Sequence, residues 1–132
     1  MKLAIVGTRD FQDYDLLVRI VAKVKSPIDE IVSGGARGAD TLAERYAREH
    51  NIPMKVFPAK WDRYGKKAGY TRNKDIVNYC DGLIAFWDGY SKGTKHSIDL
   101  CVETKKPYKV INYNDIQPEI KTTVVNKRKE QF

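Results

Sequence analysis

The stretch Ile31-Val32-Ser33-Gly34-Gly35-Ala36-Arg37-Gly38-Ala39-Asp40 decides the fold of this chain. A short apolar run leads into three glycines within five positions, and an amphipathic stretch follows at once. This order is typical of a strand, a loop and a helix whose first N–H groups lack internal acceptors and lie at the positive end of its dipole. Because glycines let a ligand approach the backbone closely, the stretch predicts a phosphate site.

The same loop leaves alternatives open. It matches neither the Gly-x-Gly-x-x-Gly dinucleotide fingerprint nor the phosphate loop that ends in Gly-Lys-Ser/Thr. A glycine-rich turn that binds no ligand would have the same composition. Asp40 either caps the following helix or holds a ribose hydroxyl, and we favour the cap.

Strands and helices alternate five times along the chain. Apolar runs predict strands at residues 2–7, 28–33, 54–59, 82–87 and 108–112. Helices are expected from Asp13 or Asp15 to Lys25, after the glycine loop, and at residues 71–79 and 95–105. This alternation predicts an α/β fold with a mostly parallel five-stranded sheet, helices on both faces and right-handed crossovers. The loops after strands one, two and four then share one edge, near a topological switch point.

The composition indicates one globular domain. The 132 residues match the usual size of a single domain, about 100–150 residues. No apolar run approaches the ~20 residues that cross a bilayer, and no leader pattern opens the chain, so we expect a cytoplasmic protein that does not enter membranes. Cys80 and Cys101 fall at apolar positions of helical patterns, which favours reduced core residues over a disulfide or metal pair. We therefore predict no metal and no cofactor.

The net charge of +7 allows a polyanionic partner. Residues 60–75 carry six basic and two acidic side chains, and residues 121–132 carry four basic and one acidic. The first segment also contains Trp61, Tyr64 and Tyr70, whose rings suit stacking on a base. The alternative is that these rings pack the segment onto the domain. The second segment has the pattern of a solvated tail.

Two further loops carry candidate ligand contacts. Gly7-Thr8-Arg9 follows the first strand, where arginine can hold a phosphate with two hydrogen bonds. Gly93-Thr94 lies in a second strand–glycine loop–helix unit after Trp87, and Arg72-Asn73 is expected in the first turn of a helix near the preceding loop. A surface arginine paired with Asp10 or Asp13 is the alternative for Arg9.

Several motifs together resemble the YspA-like family of the SLOG superfamily, over about residues 2–112. They are Ala4-Ile5-Val6-Gly7-Thr8-Arg9-Asp10-Phe11, Val32-Ser33-Gly34-Gly35-Ala36-Arg37-Gly38-Ala39-Asp40, Lys60-Trp61-Asp62-Arg63-Tyr64-Gly65, Arg72-Asn73, and the segment from Phe86-Trp87-Asp88-Gly89 to Gly93-Thr94. SLOG relatives include the Lonely Guy phosphoribohydrolases and the DNA-uptake protein DprA. The resemblance implies a Rossmann-like domain at residues 1–112, with residues 113–132 as an extension or tail, and a site for a nucleotide or nucleotide-derived ligand. Relatives often pair, but no exposed apolar stripe identifies a homo-oligomer contact.

Two departures separate this chain from its enzymatic relatives. Lonely Guy enzymes have a Gly-Gly-x-Gly-Thr-x-x-Glu motif whose glutamate takes part in cleaving the N-glycosidic bond, and here Ser97 stands in that position. Asp99 lies about 200° further round the helix and does not replace it simply. Enzyme activity is therefore left undecided. The first glycine loop resembles the DprA version, which contacts nucleic-acid phosphate, but the basic patch is short for a DNA groove.

We therefore predict binding of a small nucleotide-type ligand, such as an adenine nucleotide, NAD or an ADP-ribose derivative. A nucleotide N-glycosidase, with Asp10, Asp40, Asp88 and Asp99 as available carboxylates, and a binder of single-stranded nucleic acid are the alternatives. No catalytic residue is assigned. The predicted ligand-binding residues are Gly7, Thr8, Arg9, Ser33, Gly34, Gly35, Ala36, Arg37, Gly38, Asp40, Trp61, Arg72, Asn73, Trp87, Gly93 and Thr94.

Overall fold

The computed structural model describes residues 1–114 and the backbone of the short strand at residues 124–126. The strands are β1 (Lys2–Gly7), β2 (Glu30–Ser33), β3 (Met54–Val56), β4 (Gly82–Trp87), β5 (Tyr108–Asn112) and β6 (Val124–Asn126). The helices are α1 (Tyr14–Val21), α2 (Ala39–Glu49), α3 (Trp61–Tyr64), α4 (Ala68–Tyr79) and α5 (Lys92–Thr104), with a 3₁₀ turn at Gly65–Lys67.

The strands form a single sheet in the order β3-β2-β1-β4-β5-β6. Strands β1 to β5 are parallel, which confirms the predicted Rossmann-like α/β fold. The structure adds a sixth strand to the five predicted, because β6 pairs antiparallel with β5. This strand lies within the predicted tail, and the remainder of residues 115–132 lies outside the described part of the chain. The strand order reverses between β1 and β4, so the switch point lies at their carboxyl ends.

Several element boundaries differ from the sequence prediction. Helix α1 ends at Val21 instead of about Lys25, and β3 ends at Val56 instead of residue 59. The basic, aromatic segment contains α3, the 3₁₀ turn and the start of α4. Because α4 begins at Ala68, Arg72 lies in its second turn and not, as expected, in its first.

Two apolar cores cover the faces of the sheet. One packs residues of α1 and α2 against β1, β2 and β4, and Phe11 stacks on Phe86 within it. The other packs residues of α4 and α5 against the opposite face. Cys80 and Cys101 lie in this second core as free thiols, as predicted, and burial raises their pKa to about 11 and about 12. Within residues 1–114 and 124–126, the structure contains no helix with the length and apolar character needed to cross a bilayer.

Candidate functional site

A cavity of about 440 Å³ lies at the carboxyl edge of the parallel strands. Ten of the predicted ligand residues line it: Gly7, Thr8, Arg9, Ala36, Asp40, Trp61, Arg72, Asn73, Gly93 and Thr94. The six others, Ser33, Gly34, Gly35, Arg37, Gly38 and Trp87, are not among its lining residues. The fold therefore brings the loops after β1, β2 and β4 together around one space, as the alternation of strands and helices predicts.

Two amides of the first glycine loop, residues 34–38, donate to side chains that flank the loop. The Gly35 N–H donates to Ser33 Oγ at 3.3 Å, and the Ala36 N–H donates to Asp40 Oδ2 at 3.0 Å. Asp40 is buried in the first turn of α2, and the amide of Gly34 also stabilises its carboxylate. The side chain thus occupies the position where an anion would meet this loop. The prediction that Asp40 caps α2 is therefore wrong: Gly38 is the N-cap, the helix has no side-chain cap hydrogen bond, and Asp40 binds the preceding loop from inside the first turn.

Burial governs the ionisation of Asp40. Desolvation raises its pKa above the ordinary value, although the Ala36 hydrogen bond, the charge of Arg72 and the Gly34 amide oppose the shift. The Asp40 carboxyl already binds amides that a phosphate would need. The first loop is therefore a weaker phosphate site than its glycines alone suggest.

Close approach between chain segments explains two glycines of this loop. A Cβ on Gly38 would lie 2.3 Å from the carbonyl oxygen of Thr8, and the residue has a φ of +75°. A Cβ on Gly34 would lie 2.2 Å from Nη1 of Arg72. Gly38 therefore allows the loop to pack on the backbone that follows β1, whereas a Cβ at Gly34 would meet the end of the Arg72 side chain.

Arg72 and Asn73 connect the two glycine loops. Arg72 Nη1 donates to the carbonyl of Gly34 at 2.7 Å, and its Nε donates to Oδ1 of Asn73 at 3.1 Å. The Nδ2 of the buried Asn73 donates to the carbonyl of Gly93 at 3.2 Å. The chain of bonds holds the loop after β2 and the start of α5 in one arrangement.

Hydrogen bonds of Asp88 and Thr8 hold the amino-terminal end of the second glycine loop, residues 88–94. Asp88 Oδ1 accepts the N–H groups of Tyr90 and Ser91, each at 2.8 Å, and the Asp88 N–H donates to Thr8 Oγ1 at 3.1 Å. Burial opposes ionisation of Asp88, but these backbone hydrogen bonds outweigh it and lower its pKa.

In the first turn of α5, in contrast, the N–H groups have no acceptor among the described residues. Ser91 provides no side-chain cap, and this turn contains no acidic residue. Among the described residues, the N–H groups of Lys92, Gly93 and Thr94 have no hydrogen-bond acceptor. Gly93 and Thr94 line the cavity, so the positive end of α5 borders it.

The cavity is electropositive. Arg9, Lys66 and Arg72 line it, and Asp40 is the one carboxylate among its described lining residues. Burial lowers the pKa of Arg72, the charge of Asp40 raises it, and the charge of Arg9 lowers it again. Both guanidinium groups remain charged, so the fold holds two like charges near each other. A bound anion would relieve this repulsion.

The two tryptophans have different environments. Trp61 lines the cavity, packs over Gly69 and is 54% exposed. Tyr70, which is 47% exposed, lines the same space. Trp87 instead donates its Nε1–H to the carbonyl of Ser91 at 3.0 Å and packs against the second core. Of these two predicted ligand residues, Trp61 therefore presents its ring to the cavity, and Trp87 holds the second loop through its hydrogen bond to Ser91.

Sequence reasoning missed several lining residues: Val6, Lys66, Gly69, Tyr70, Ile76, Ser91 and Ser97. Lys66 and Tyr70 belong to the basic, aromatic segment that the sequence singled out without choosing them. Ser97 lies four residues after Gly93 on α5, so helical spacing would have placed both on one face. Its Oγ lies 3.5 Å from the carbonyl of Gly93.

The four carboxylates considered for hydrolysis are separated by the fold. Asp40 lines the cavity, whereas Asp10, Asp88 and Asp99 are not among its lining residues. Asp99 pairs with Lys95 at 3.0 Å. Ser97, which the sequence resemblance places where Lonely Guy enzymes have a glutamate, is buried and lines the cavity.

Comparison with known proteins identifies the family. The profile described as "YspA, cpYpsA-related SLOG family" matches residues 1–64. The chain is also similar to the "Gene 61 protein" of Mycobacterium phage D29, with 38% identity over 91 residues that cover 64% of this chain and 71% of the relative. The profile match includes β1, the first glycine loop with β2 and α2 on either side of it, and the beginning of the basic segment. The chain belongs to the YspA, cpYpsA-related SLOG family.

Proposed function

We propose that this chain binds a small nucleotide or nucleotide-derived ligand, with a phosphate at the first turn of α5. Membership of the SLOG family suggests nucleotide-related ligand binding or a glycosidase-type role. The observation that carries the proposal is one cavity lined both by Gly93 and Thr94, whose amides are open, and by Arg9 and Arg72. Amides at a helix start and arginines both favour phosphate oxygens.

The remaining walls of the cavity suit a nucleoside. The exposed ring of Trp61 provides a face for a base, adenine for example, and the aromatic ring of Tyr70 lies on the same cavity. Buried hydroxyl groups of Thr94 and Ser97 provide donors and acceptors near the phosphate end. The volume of about 440 Å³ lies within the range of roughly 300–1,000 Å³ that is usual for small-molecule sites.

Binding fits this site better than hydrolysis. Glycoside hydrolases commonly rely on carboxylates to protonate the leaving group and to stabilise developing positive charge. The carboxylate that lines this cavity, Asp40, already accepts hydrogen bonds from the loop, and Ser97 replaces the expected glutamate. A single-stranded nucleic acid also fits less well, because the exposed basic segment at residues 60–67 is short for a nucleic-acid groove.

Isothermal calorimetry with AMP, ADP and NAD tests the proposal. Arg9→Gln is expected to weaken binding by about tenfold or more, because a charge-assisted hydrogen bond contributes about 1.5–3 kcal/mol. Arg48→Gln removes the same charge from an exposed position on α2 and is the matched control. Absence of heat with all three nucleotides, or equal binding by both variants, would contradict the proposal. Chromatography after overnight incubation separates binding from hydrolysis, because release of a free base would show glycosidase activity.

A further inference from the structure

A second depression lies next to the cavity on the outer side of α5. Its volume is about 410 Å³, and it is lined by Tyr70, Lys92, Lys95, His96 and Asp99. We call it the lysine groove. Tyr70 lines both the groove and the cavity, so one aromatic residue borders two spaces of similar volume.

Helix α5 presents two neighbouring faces to these two spaces. Gly93, Thr94 and Ser97 line the cavity. The groove residues on α5 follow the spacing i, i+3, i+4 and i+7, which places them along one adjacent stripe: Lys92, Lys95, His96 and Asp99. A phosphate at the first turn of α5 would therefore lie beside the groove as well as within the cavity.

Both lysines of the groove are able to meet a phosphate. Lys92 is exposed and forms no ion pair with another described residue. The Lys95 ammonium lies 3.0 Å from the Asp99 carboxylate, but their side chains are 59% and 51% exposed, and surface pairs of this kind contribute little stability. The Lys95 ammonium can therefore turn to a more highly charged group such as a phosphate.

His96 adds a neutral donor whose tautomer follows from its neighbours. The amide of Asn73 is oriented by two unambiguous partners, since Oδ1 accepts from Arg72 Nε and Nδ2 donates to the Gly93 carbonyl. The same Nδ2 lies 3.2 Å from His96 Nδ1, so this ring nitrogen accepts. The proton of the neutral ring is then on Nε2. Burial, together with the charge of Lys74, lowers the pKa of His96.

The groove is too large for one phosphate group alone. Its volume of about 410 Å³ is close to that of the nucleotide-sized cavity. Two ammonium groups, an N–H donor and the side of an aromatic ring match a phosphate that carries a second sugar unit.

We propose that the lysine groove is a second subsite, which binds a further phosphate-linked sugar unit of a nucleotide whose first half occupies the cavity. This inference rests on the proposed function. It assigns the ligand to the class of nucleotides with two phosphate-bearing halves, joined by a pyrophosphate or by a phosphodiester.

Calorimetry with AMP, ADP-ribose and the 5′-phosphorylated adenylate dinucleotide pApA tests the subsite. Wild-type protein is expected to bind ADP-ribose or pApA about tenfold or more tightly than AMP, because the second half adds lysine contacts. Preference for ADP-ribose indicates the pyrophosphate link, and preference for pApA indicates the phosphodiester link. Lys92→Gln/Lys95→Gln should abolish this preference, because the loss of both ammonium groups weakens binding of the two-part ligands more than it weakens binding of AMP.

The matched control is Lys23→Gln/Lys25→Gln. These lysines follow α1 and lie near Lys109, at the amino-terminal part of β5 and away from the carboxyl edge. This variant should keep the preference for the two-part ligand. If wild type binds AMP as tightly as both two-part ligands, or if the preference survives in the Lys92/Lys95 variant, the subsite is wrong and the proposed function stands. If none of the three ligands binds, both are wrong.

Discussion

The two glycine loops of this domain look alike in sequence but differ in what their amides bind. In the loop after β2, the N–H groups of Gly35 and Ala36 donate to the flanking side chains of Ser33 and Asp40. In the loop after β4, the first-turn amides of Gly93 and Thr94 have no acceptor among the described residues. The first loop thus binds a carboxyl group of the protein itself, and the second is open to an anion from outside.

This difference shows why a glycine-rich loop is an ambiguous signal. A glycine is required where two backbones approach closely, and equally where a ligand approaches a backbone. Gly38 belongs to the first case because it packs on the carbonyl of Thr8. Gly93 is compatible with the second, since a Cβ there would meet nothing within 4 Å.

The largest effect expected from this comparison is on stability. Gly38→Ala places a Cβ 2.3 Å from a backbone oxygen at a φ of +75°, so we expect a loss of about 3 kcal/mol or more in the free energy of unfolding. Gly93→Ala meets no atom and replaces a helical glycine, so it should leave stability unchanged or raise it by up to about 1 kcal/mol. Urea unfolding of the two variants measures the contrast. Similar losses in both would remove the distinction between a packing glycine and an open one.

A smaller effect is expected on the pH dependence of stability, and it comes from the Asp40 carboxyl that the first loop binds. Because burial raises the pKa of Asp40, the folded state keeps a proton that the unfolded chain releases above the ordinary pKa of about 3.8. The contribution of this carboxyl to the free energy of unfolding therefore falls as pH rises from its ordinary pKa through the raised one. The side chain in the Asp40→Asn variant does not titrate, so the variant lacks this decrease in the free energy of unfolding.

Urea unfolding of wild type and Asp40→Asn from about pH 4 to about pH 8 measures the effect as the difference between their free energies of unfolding. We expect the stability of wild type relative to Asp40→Asn to decrease with rising pH. Asp62→Asn, at an exposed position, controls for the loss of one negative charge. A difference that is flat or that increases with pH would show that the Asp40 carboxylate is not disfavoured by burial in the folded protein.

The architecture was predictable from sequence because it follows from local patterns. Continuous apolar runs predicted β4 and β5 at their observed positions, and the alternation with helices predicted the parallel sheet. The glycine loops marked the strand ends that meet at the cavity. Strand β6 was not among the five predicted strands, since a three-residue strand at the sheet edge gives almost no periodic signal.

The partners of individual side chains in the site were not predictable in the same way. Arg72 was proposed for a ligand, but its guanidinium also binds the carbonyl of Gly34, which is 38 residues away in the chain. Trp61 and Trp87 both looked available, and only the packing of Trp87 against the second core separates them. Such contacts depend on how distant segments meet, which the spacing of residues along the chain does not encode.

The most direct test of this account is an amide NMR titration of the ¹⁵N-labelled protein with AMP. If the second loop binds the phosphate, the amide signals of Gly93 and Thr94 will shift most, because a charged acceptor replaces water there. The signals of Gly35 and Ala36, which already donate to Ser33 and Asp40, will shift less. The largest shifts at Gly35 and Ala36, with Gly93 and Thr94 unchanged, would contradict the claim that the open end of α5 binds the ligand.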